Sequence, residues 1–364
     1  MVIEQLHYAT RSRYNFPQVF EETGFPRRLM DLSLNSMQSI KGKHFQPYEA
    51  EFPSFAAERP ISSDPIRLHG KAFSTLLTPL EPIKDGTTVI GIDVSSIRVG
   101  ETETGSICAI RGAIVWNEKQ HYQYVRLGPF PFHVTEISRS EAPGEPRLDA
   151  SSGHSVDPST PVETQNHLCS LVERWIQAGV SFASSRSIIL WDGSLTSGMP
   201  GNPVSAISHI LRVARRNSNS VLAFSKATTI RFLGWKITDL ALNQKPPCLL
   251  EVENLPLSIS RTTSLLGRIF AAKLAEGGYS FRLDIDRALS REYCIKAVER
   301  LLGNELMFQG YPETLRLAHI YSTFTANDVL GIQSFLAAEY GLKVVPRCNI
   351  RKTLFGPFGT GYED

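Results

Sequence analysis

The sequence has few cysteines and no long apolar run, and each shortage excludes a class of protein. Its 364 residues include five single cysteines without a CxxC pair, at Cys108, Cys169, Cys248, Cys294 and Cys348. The odd count and wide spacing argue against a disulfide framework or a zinc site and predict a reducing, cytoplasmic location. No run of about 18 apolar residues occurs, and the opening "MVIEQLHYATRSRYNF" lacks a signal-peptide core, so neither a membrane span nor export is predicted.

The sequence also lacks a strong excess of either charge. Its 38 Lys and Arg residues against 36 Asp and Glu residues leave a formal net charge of +2. No global basic field therefore indicates nucleic acid, although a local basic patch is compatible with this balance. With 42% hydrophobic and 20% charged residues, the composition is typical of a globular protein with a full hydrophobic core.

The clearest secondary-structure pattern is a set of three apolar, β-branched segments. They are "TTVIGIDVSSIRVG", "GSICAIRGAIVWN" and "HYQYVRLG", and short polar connections separate them. This pattern predicts a β-meander. A helix is predicted next, from a capping box of Thr160 and Glu163 to Gly179, followed by a buried strand that ends at Asp192.

Helices and strands alternate after this strand. The pattern predicts a helix over 203–216, a strand "SVLAF", a helix over Ser264 to Leu274, a strand "YSFRLDID", and helices from Ser290, over 313–321 and over 328–340. The last helix has a capping box of Thr325 and Asp328 and stops at Gly341. This order indicates an α/β protein with one mixed sheet flanked by helices.

Two regions are predicted to lie outside this sheet. Residues 1–85 are expected to form an N-terminal arm, with a helix over 27–40 and an extended segment rich in Pro and aromatics, before a domain over 86–364. Residues 137–160 are polar and rich in Pro, Gly and Ser, which predicts a long, mobile insertion in that domain.

Two predicted strands carry an aspartate in their second half, Asp93 in the first and Asp192 in the later one. A buried charge needs a partner or a metal, and ligand chemistry gathers at strand ends in α/β sheets. The two carboxylates are therefore expected to face each other and to hold Mg²⁺ or Mn²⁺. Each aspartate alone is more commonly a turn residue or a helix N-cap, and the residue pattern leaves these alternatives open.

Four short motifs occur in a fixed order along the chain. They are "GIDVSS", "IILWDGSL", "AFSKATT" and "GYPETLRLAHIYS". In sequence and order they resemble the NurA nuclease family, whose members have an RNase H-like core and process DNA ends with the HerA translocase. The resemblance implies an RNase H-like mixed β-sheet flanked by helices, with an N-terminal extension.

The resemblance also implies a metal centre. Asp93 and Asp192 match the family's ligands, and Glu173 lies at about the family's spacing for an acidic residue on the helix before the Asp-Gly-Ser strand. Glu163 competes for that role, but its capping position already explains it. On the helical wheel Glu173 lies on the polar side of the apolar stripe, where the alternative is a solvated charge.

Tyr311 and His319 match the closing motif and lie about two helical turns apart, on roughly one face. The resemblance implies that His319 ligates the metal or contacts the transition state, and that Tyr311 has a catalytic role. A helical histidine is otherwise an ordinary surface or core residue, and Tyr311 is equally compatible with packing beside Pro312.

Basic residues near these motifs are candidates for binding nucleic acid. Lys226, in the third motif, would neutralise phosphate charge near the scissile bond, and its alternative is a solvated loop lysine. Arg212, Arg215 and Arg216 form a basic cluster at the end of one helix that could follow a DNA backbone. Such clusters are commonly no more than helix C-terminal charges.

The activity implied by the resemblance is hydrolysis of DNA phosphodiester bonds with two divalent ions, preferably Mn²⁺. The implied setting is DNA end resection and double-strand break repair, by a homodimer docked on a hexameric HerA-type ATPase.

The sequence departs from the family pattern in the first motif, which in the family continues from Asp to Gly-Ser. Here Val94 follows Asp93, and because a β-branched residue disfavours positive φ, a more regular backbone is predicted.

Two other functions compete with this interpretation. "GIDVSS" also resembles the first phosphate loop of the actin, heat-shock-ATPase and sugar-kinase superfamily. However, "WDGSLTSG" lacks the expected Gly-rich run, and "EGGYS" lacks the helical context of the adenosine motif. A catalytically inactive scaffold of the same fold is the other alternative. Val94 favours it, whereas intact Asp93, Asp192, Tyr311 and His319 argue against it.

Overall fold

The computed structural model describes residues 25–47, 77–118, 121–135, 161–197, 204–232, 235–252 and 264–345. The helices in this part of the chain are α1 (Phe25–Gln38), α2 (Pro161–Ala183), α3 (Val204–Arg216), α4 (Ile237–Leu242), α5 (Arg291–Asn304), α6 (Glu313–Ser322) and α7 (Ala326–Tyr340). None of them is both long and apolar enough to cross a lipid bilayer.

Strands of the described residues form one large mixed sheet and three short pairs. The strands of the large sheet are β1 (His44–Pro47), β2 (Leu77–Pro79), β3 (Val89–Thr102), β4 (Gly105–Glu118), β5 (His121–Val134), β6 (Ile188–Asp192), β8 (Ser220–Ser225), β11 (Cys248–Glu251), β13 (Gly267–Lys273), β14 (Ser280–Asp286) and β17 (Lys343–Val344). The short pairs are β7 (Thr196–Ser197) with β12 (Ser264–Leu265), β9 (Arg231–Phe232) with β10 (Trp235–Lys236), and β15 (Met307–Phe308) with β16 (Tyr311–Pro312).

The centre of the large sheet has the strand order β5-β4-β3-β6-β8. Strands β3, β4 and β5 form the predicted antiparallel meander, whereas β6 runs parallel to β3 and β8 runs parallel to β6. A three-strand meander followed by parallel strands reached through helices is the RNase H-like arrangement. The predicted fold class, a mixed sheet flanked by helices, is therefore confirmed.

Two apolar clusters cover the two faces of this sheet. On β6, Ile189 and Trp191 pack into the cluster beneath α2 and α3, whereas Ile188 and Leu190 pack into the cluster beneath α5 and α6. Successive side chains of a strand point to opposite faces. Asp192, next after Trp191, therefore faces the side covered by α6.

The predicted helix over Ser264 to Leu274 is wrong, because this segment forms β12 and β13. Strand β13 lies between β11 and β14 and has buried side chains on both faces. A strand that is buried on both faces is apolar along its whole length, so it lacks the alternation that distinguishes a strand from a buried helix.

Two predicted boundaries are also corrected. Helix α2 continues through Gly179 to Ala183, since this glycine is buried within the helix. Strand β5 extends beyond the predicted end at Gly128 to Val134, although Pro129 and Pro131 lie in the extension. Among the described strands β5 pairs only with β4, and an edge position tolerates proline because no second neighbour needs its N–H group.

The remaining predicted helices lie close to their expected positions. Ser290 caps α5, the capping box of Thr325 and Asp328 opens α7, and Gly341 ends it with φ +58. Helix α1 and strand β1 join the meander, the first against β5 and the second beside β3. The domain boundary at residue 85 stays a prediction. The predicted insertion over 137–160 and the cap at Thr160 lie outside the described residues.

Candidate metal centre

Asp93 and Asp192 lie on neighbouring parallel strands at the same level of the sheet. Ile92 of β3 is paired with Trp191 of β6, so the aspartates occupy the next position on each strand. Asp192 ends β6, whereas β3 continues past Asp93 and pairs Val94 with Gly112 of β4. The backbone after Asp93 is thus regular, as the valine predicts, and both carboxylates face the side covered by α6.

Helix α6 lies against β3 and carries His319 to the two aspartates. A Cβ atom at Gly91 would come within 2.8 Å of the Thr314 carbonyl oxygen, so this glycine permits the close approach of the helix. The Nδ1 atom of His319 lies 2.9 Å from Oδ2 of Asp93 and 3.9 Å from Oδ2 of Asp192. One possible ligand atom from each of the three residues lies within 4.8 Å of the others.

Asp93 is largely buried and receives two hydrogen bonds. Its Oδ2 atom lies 2.6 Å from the donating hydroxyl of Ser322 and 2.9 Å from Nδ1 of His319. Burial alone would raise the pKa of Asp93, but these bonds outweigh burial and hold the pKa below its usual value. The bond to Asp93 in turn raises the pKa of His319, against the opposing effects of burial and of Lys226. The carboxylate is therefore held in its charged form.

Glu173 approaches the same site from α2. Burial raises its pKa, and the negative charges of Asp93 and Asp192 raise it further, while Arg174 opposes the shift. Gln177 donates a hydrogen bond of 2.7 Å to its carboxylate. The Glu173 side chain is half-buried, so it is not the fully solvated charge that the helical wheel allows. Glu173 is not one of the three residues whose possible ligand atoms lie within 4.8 Å of one another. It is close enough for the charges of Asp93 and Asp192 to raise its pKa.

Lys226 and Tyr311 contact the Asp192 side of the site. The Nζ atom of Lys226 donates to Oδ2 of Asp192 at 2.6 Å and lies 5.5 Å from the ring centroid of Tyr311. Burial raises the pKa of Tyr311 above its usual range, and the charges of Asp192 and Asp93 raise it further. The buried hydroxyl of Tyr311 approaches Asp192 without a hydrogen bond of good geometry to any described residue. Tyr311 is therefore a neutral phenol beside the carboxylates.

The structure separates the arginine cluster from this site. Helix α3 ends at Arg216 and leads into Ser220, which pairs with Ile188 at the start of β6. The start of β6 is roughly 13 Å from its end at Asp192. Arg215 forms an ion pair with Asp286 at the same far end. Arg212 and Arg216 are exposed, so a role of this cluster in DNA binding stays a prediction and concerns a surface away from the carboxylates.

The sequence did not predict the groups that hold the site in place. Ser322, one turn after His319 in the closing motif, donates to Asp93, and a hydroxyl at helical spacing was the available signal. The buried carboxylate of Asp284, on β14, accepts the amide of Leu195 at 3.0 Å and a bidentate bond from Arg282. It fixes the turn that follows Asp192.

The donor set fits a divalent cation. The carboxylates of Asp93 and Asp192 meet beside His319 on neighbouring strands, and their charges raise the pKa of the nearby Glu173. Among the described residues, Lys226 and His319 are the basic side chains that contact Asp93 or Asp192. Carboxylate oxygens with one imidazole are ligands that Mn²⁺ and, through the oxygens, Mg²⁺ accept. Fold and site together define an RNase H-like protein with an acidic centre suited to a divalent metal.

The backbone of this protein is similar to those of known nuclease structures, with low TM-scores. The sequence matches no protein-family model and no curated protein. The NurA nuclease from Sulfolobus solfataricus has a TM-score of 0.49 at 16% identity, over 72% of this chain and 86% of that chain. A NurA crystal structure with manganese gives 0.40 at 8%, over 73% and 93%, and endonuclease V from Bacillus subtilis gives 0.35 at 10%, over 74% and 90%.

Proposed function

We propose that this protein is a metal-dependent nuclease that hydrolyses phosphodiester bonds of DNA with two divalent ions. The observation that carries the proposal is the convergence of Asp93, Asp192 and His319, with possible ligand atoms within 4.8 Å, beside the half-buried Glu173. The motif resemblance to the NurA family supports the same function, because the matching residues are the ones that converge.

Each group at the site has a role in this proposal. Asp93, Glu173, Asp192 and His319 would hold the ions, which when bound supply Lewis acidity for hydrolysis of the phosphodiester. Lys226, 46% exposed beside Asp192, would offer its ammonium group to the phosphate.

Tyr311 would act as a neutral neighbour of Asp192, since burial and the nearby carboxylates disfavour its phenolate form. Its ring also packs between Phe224 and Phe281, which fixes the phenol in place. Because it stays protonated, Tyr311 would position a carboxylate or a phosphate oxygen and would not act as a general base.

Further parts of the proposal rest on the motif resemblance. We propose Mn²⁺ as the preferred ion, a homodimer as the working form, and a HerA-type hexameric ATPase as the partner in DNA end resection. These features concern surfaces and assemblies outside the carboxylate site. Their support is the ordered set of four motifs.

The geometry disfavours a phosphate-binding kinase or ATPase. A phosphate loop needs free backbone amides. After Asp192, however, the amide of Gly193 donates to the Phe224 carbonyl at 2.8 Å, and the amide of Leu195 donates to Asp284. An inactive scaffold is disfavoured as well, because a decayed site would have no reason to keep two carboxylates and an imidazole together.

The test is cleavage of end-labelled single- and double-stranded linear DNA in Mn²⁺, Mg²⁺ or EDTA. Wild-type protein is expected to cut with metal only, and Asp192→Asn is expected to be inactive. Glu276→Gln, an exposed change in the turn before β14, is the matched control and should behave as wild type. Absence of cleavage with every metal, even with a HerA-type ATPase added, would refute the nuclease; cleavage that survives Asp192→Asn would show that the site is misplaced.

A further inference from the structure

An exposed aromatic pair lies between β5 and one flank of helix α6. The rings of Tyr124 on β5 and Tyr321 on α6 are stacked, with centroids 4.2 Å apart and planes inclined by 16°. Tyr124 is 41% exposed, so part of the stacked surface faces solvent. Tyr321 follows His319 by two residues on the same helix, so the two side chains lie on opposite flanks of α6.

A cation adjoins this pair. Arg126 lies two residues after Tyr124 on the same face of β5 and is exposed. Burial and the charge of Arg111 lower the pKa of Arg126, whereas Asp328 and the two tyrosines raise it. All these groups are therefore within electrostatic range of the Arg126 guanidinium. Arg111 is neutralised by Asp328 at 3.0 Å. Arg126 has no hydrogen bond or ion pair with any other described residue.

The strand register gives the position of this surface relative to the metal centre. Asp93 on β3 lies opposite Ala113 on β4, and Ala113 lies opposite Arg126 on β5. Residues directly opposite each other in antiparallel strands share one face of the sheet. Arg126 and Asp93 therefore point to the same side, and their strands are roughly 10 Å apart at the usual strand spacing. Helix α6, which packs on β3 and β4, lies between the aromatic pair and the carboxylates.

We propose that Tyr124, Tyr321 and Arg126 form a subsite that holds single-stranded DNA on the flank of α6 opposite the carboxylate centre. The exposed tyrosine face offers a platform for an unpaired base, and the exposed guanidinium of Arg126 offers a partner for the adjoining phosphate. An anion at Arg126 would also relieve its repulsion from Arg111. Bases in a duplex have both faces covered, so the platform selects single strands. This inference rests on the proposed nuclease function for its choice of DNA.

The experiment measures binding of a short single-stranded oligonucleotide that contains 2-aminopurine, in EDTA, so that cleavage plays no part. Tyr124→Ala is expected to weaken binding about 5- to 100-fold and to abolish the quenching that stacking causes, while Tyr124→Phe retains both. Arg126→Gln is expected to weaken binding and to reduce the slope of log affinity against log salt by about 0.7. Thermal unfolding checks that each variant is folded.

Helix α5 supplies a matched control, because Tyr293 and Lys296 form an exposed tyrosine and cation one turn apart, near the end of the sheet away from Asp192. Their substitution by Ala and Gln should leave binding unchanged. Equal binding by wild type and Tyr124→Ala, or equal loss in Tyr293→Ala, would overturn the subsite. If wild type cuts DNA in Mn²⁺ while Tyr124→Ala binds normally, the subsite fails alone; if no protein cuts but Tyr124→Ala loses binding, the nuclease fails alone.

Discussion

The Nδ1 atom of His319 lies 2.9 Å from Oδ2 of Asp93, and this contact joins the first strand of the meander to a helix near the other end of the described chain. Carboxylates that hold a histidine ring by one nitrogen are common in metal centres, because they fix the ring and leave the other nitrogen for the ion. Ser322, on the same helix, donates to the same oxygen of Asp93. The acidic centre thus depends on the docking of α6 on β3.

His319→Asn is therefore expected to lower Mn²⁺ affinity by about 10- to 100-fold, the usual cost of disturbing a histidine or its partner at a metal site. Isothermal titration with Mn²⁺ measures this change directly. His209→Asn is the matched control, since His209 is exposed on α3. An unchanged Mn²⁺ affinity in His319→Asn would show that the imidazole takes no part in the centre.

Glu173→Gln is expected to abolish cleavage and yet to stabilise the metal-free protein at neutral pH. The pKa of Glu173 is raised above 4.5 by burial and by the nearby aspartates. The folded state therefore keeps a proton that the unfolded chain releases, and stability is lost as pH rises from the unfolded pKa through the folded one. Removing this charge should raise Tm in EDTA by about 2–4 °C for each kcal/mol of repulsion relieved. A lower Tm than wild type in EDTA at neutral pH would contradict the prediction.

The position of the acidic centre could be predicted from the sequence because it follows from local patterns. An apolar run that ends in Asp192 and a β-branched run that includes Asp93 give two strands, and parallel neighbours bring equivalent positions together. The position of His319 follows from the closing motif "GYPETLRLAHIYS". Strand β13 could not be predicted in the same way, since a segment buried on both faces has no alternation to distinguish it from a helix.

The surroundings of the centre depend on tertiary contacts, which local patterns do not contain. Nothing near Glu173 in sequence indicates that two aspartates from other strands will raise its pKa. The basic residues of α3 resemble a DNA-binding cluster until the strand register places them at the far end of β6. Tyr124 and Tyr321 come from segments that are distant in sequence, so their stacking is visible only in the fold.

Gly91→Ala is expected to reduce cleavage by displacing α6. The new Cβ atom would lie 2.8 Å from the Thr314 carbonyl oxygen, which is backbone and cannot move aside without the helix. A loss of about 1–3 kcal/mol in the free energy of unfolding is expected from such overpacking. Gly331→Ala, in α7, is the matched control. Nothing lies within 4 Å of its new Cβ atom, so it should gain about 0.5–1 kcal/mol. Urea unfolding compares the two variants, and equal stabilities would refute the close approach of α6.

His133 is expected to make the protein sensitive to mild acid. It is 5% exposed on β5, and burial, assisted by the charge of Lys43, lowers its pKa from 6.5 to about 4. Between these two values the unfolded chain binds a proton that the folded chain does not. The free energy of unfolding should therefore fall as pH decreases from 6.5 to about 4. In His133→Gln this fall should be smaller, because the titrating group is gone.

Urea unfolding of wild type, His133→Gln and His121→Gln at pH about 7.5 and about 4.5 tests this expectation. His121 lies at the other end of β5 and is exposed, so its variant should lose as much stability in acid as wild type does. A glutamine at residue 133 can still bond the Thr102 hydroxyl, which lies 2.9 Å from Nε2 of His133, so packing around the site is largely retained. If His133→Gln loses as much stability in acid as the other two proteins, the acid sensitivity arises elsewhere, and burial of this imidazole does not control it.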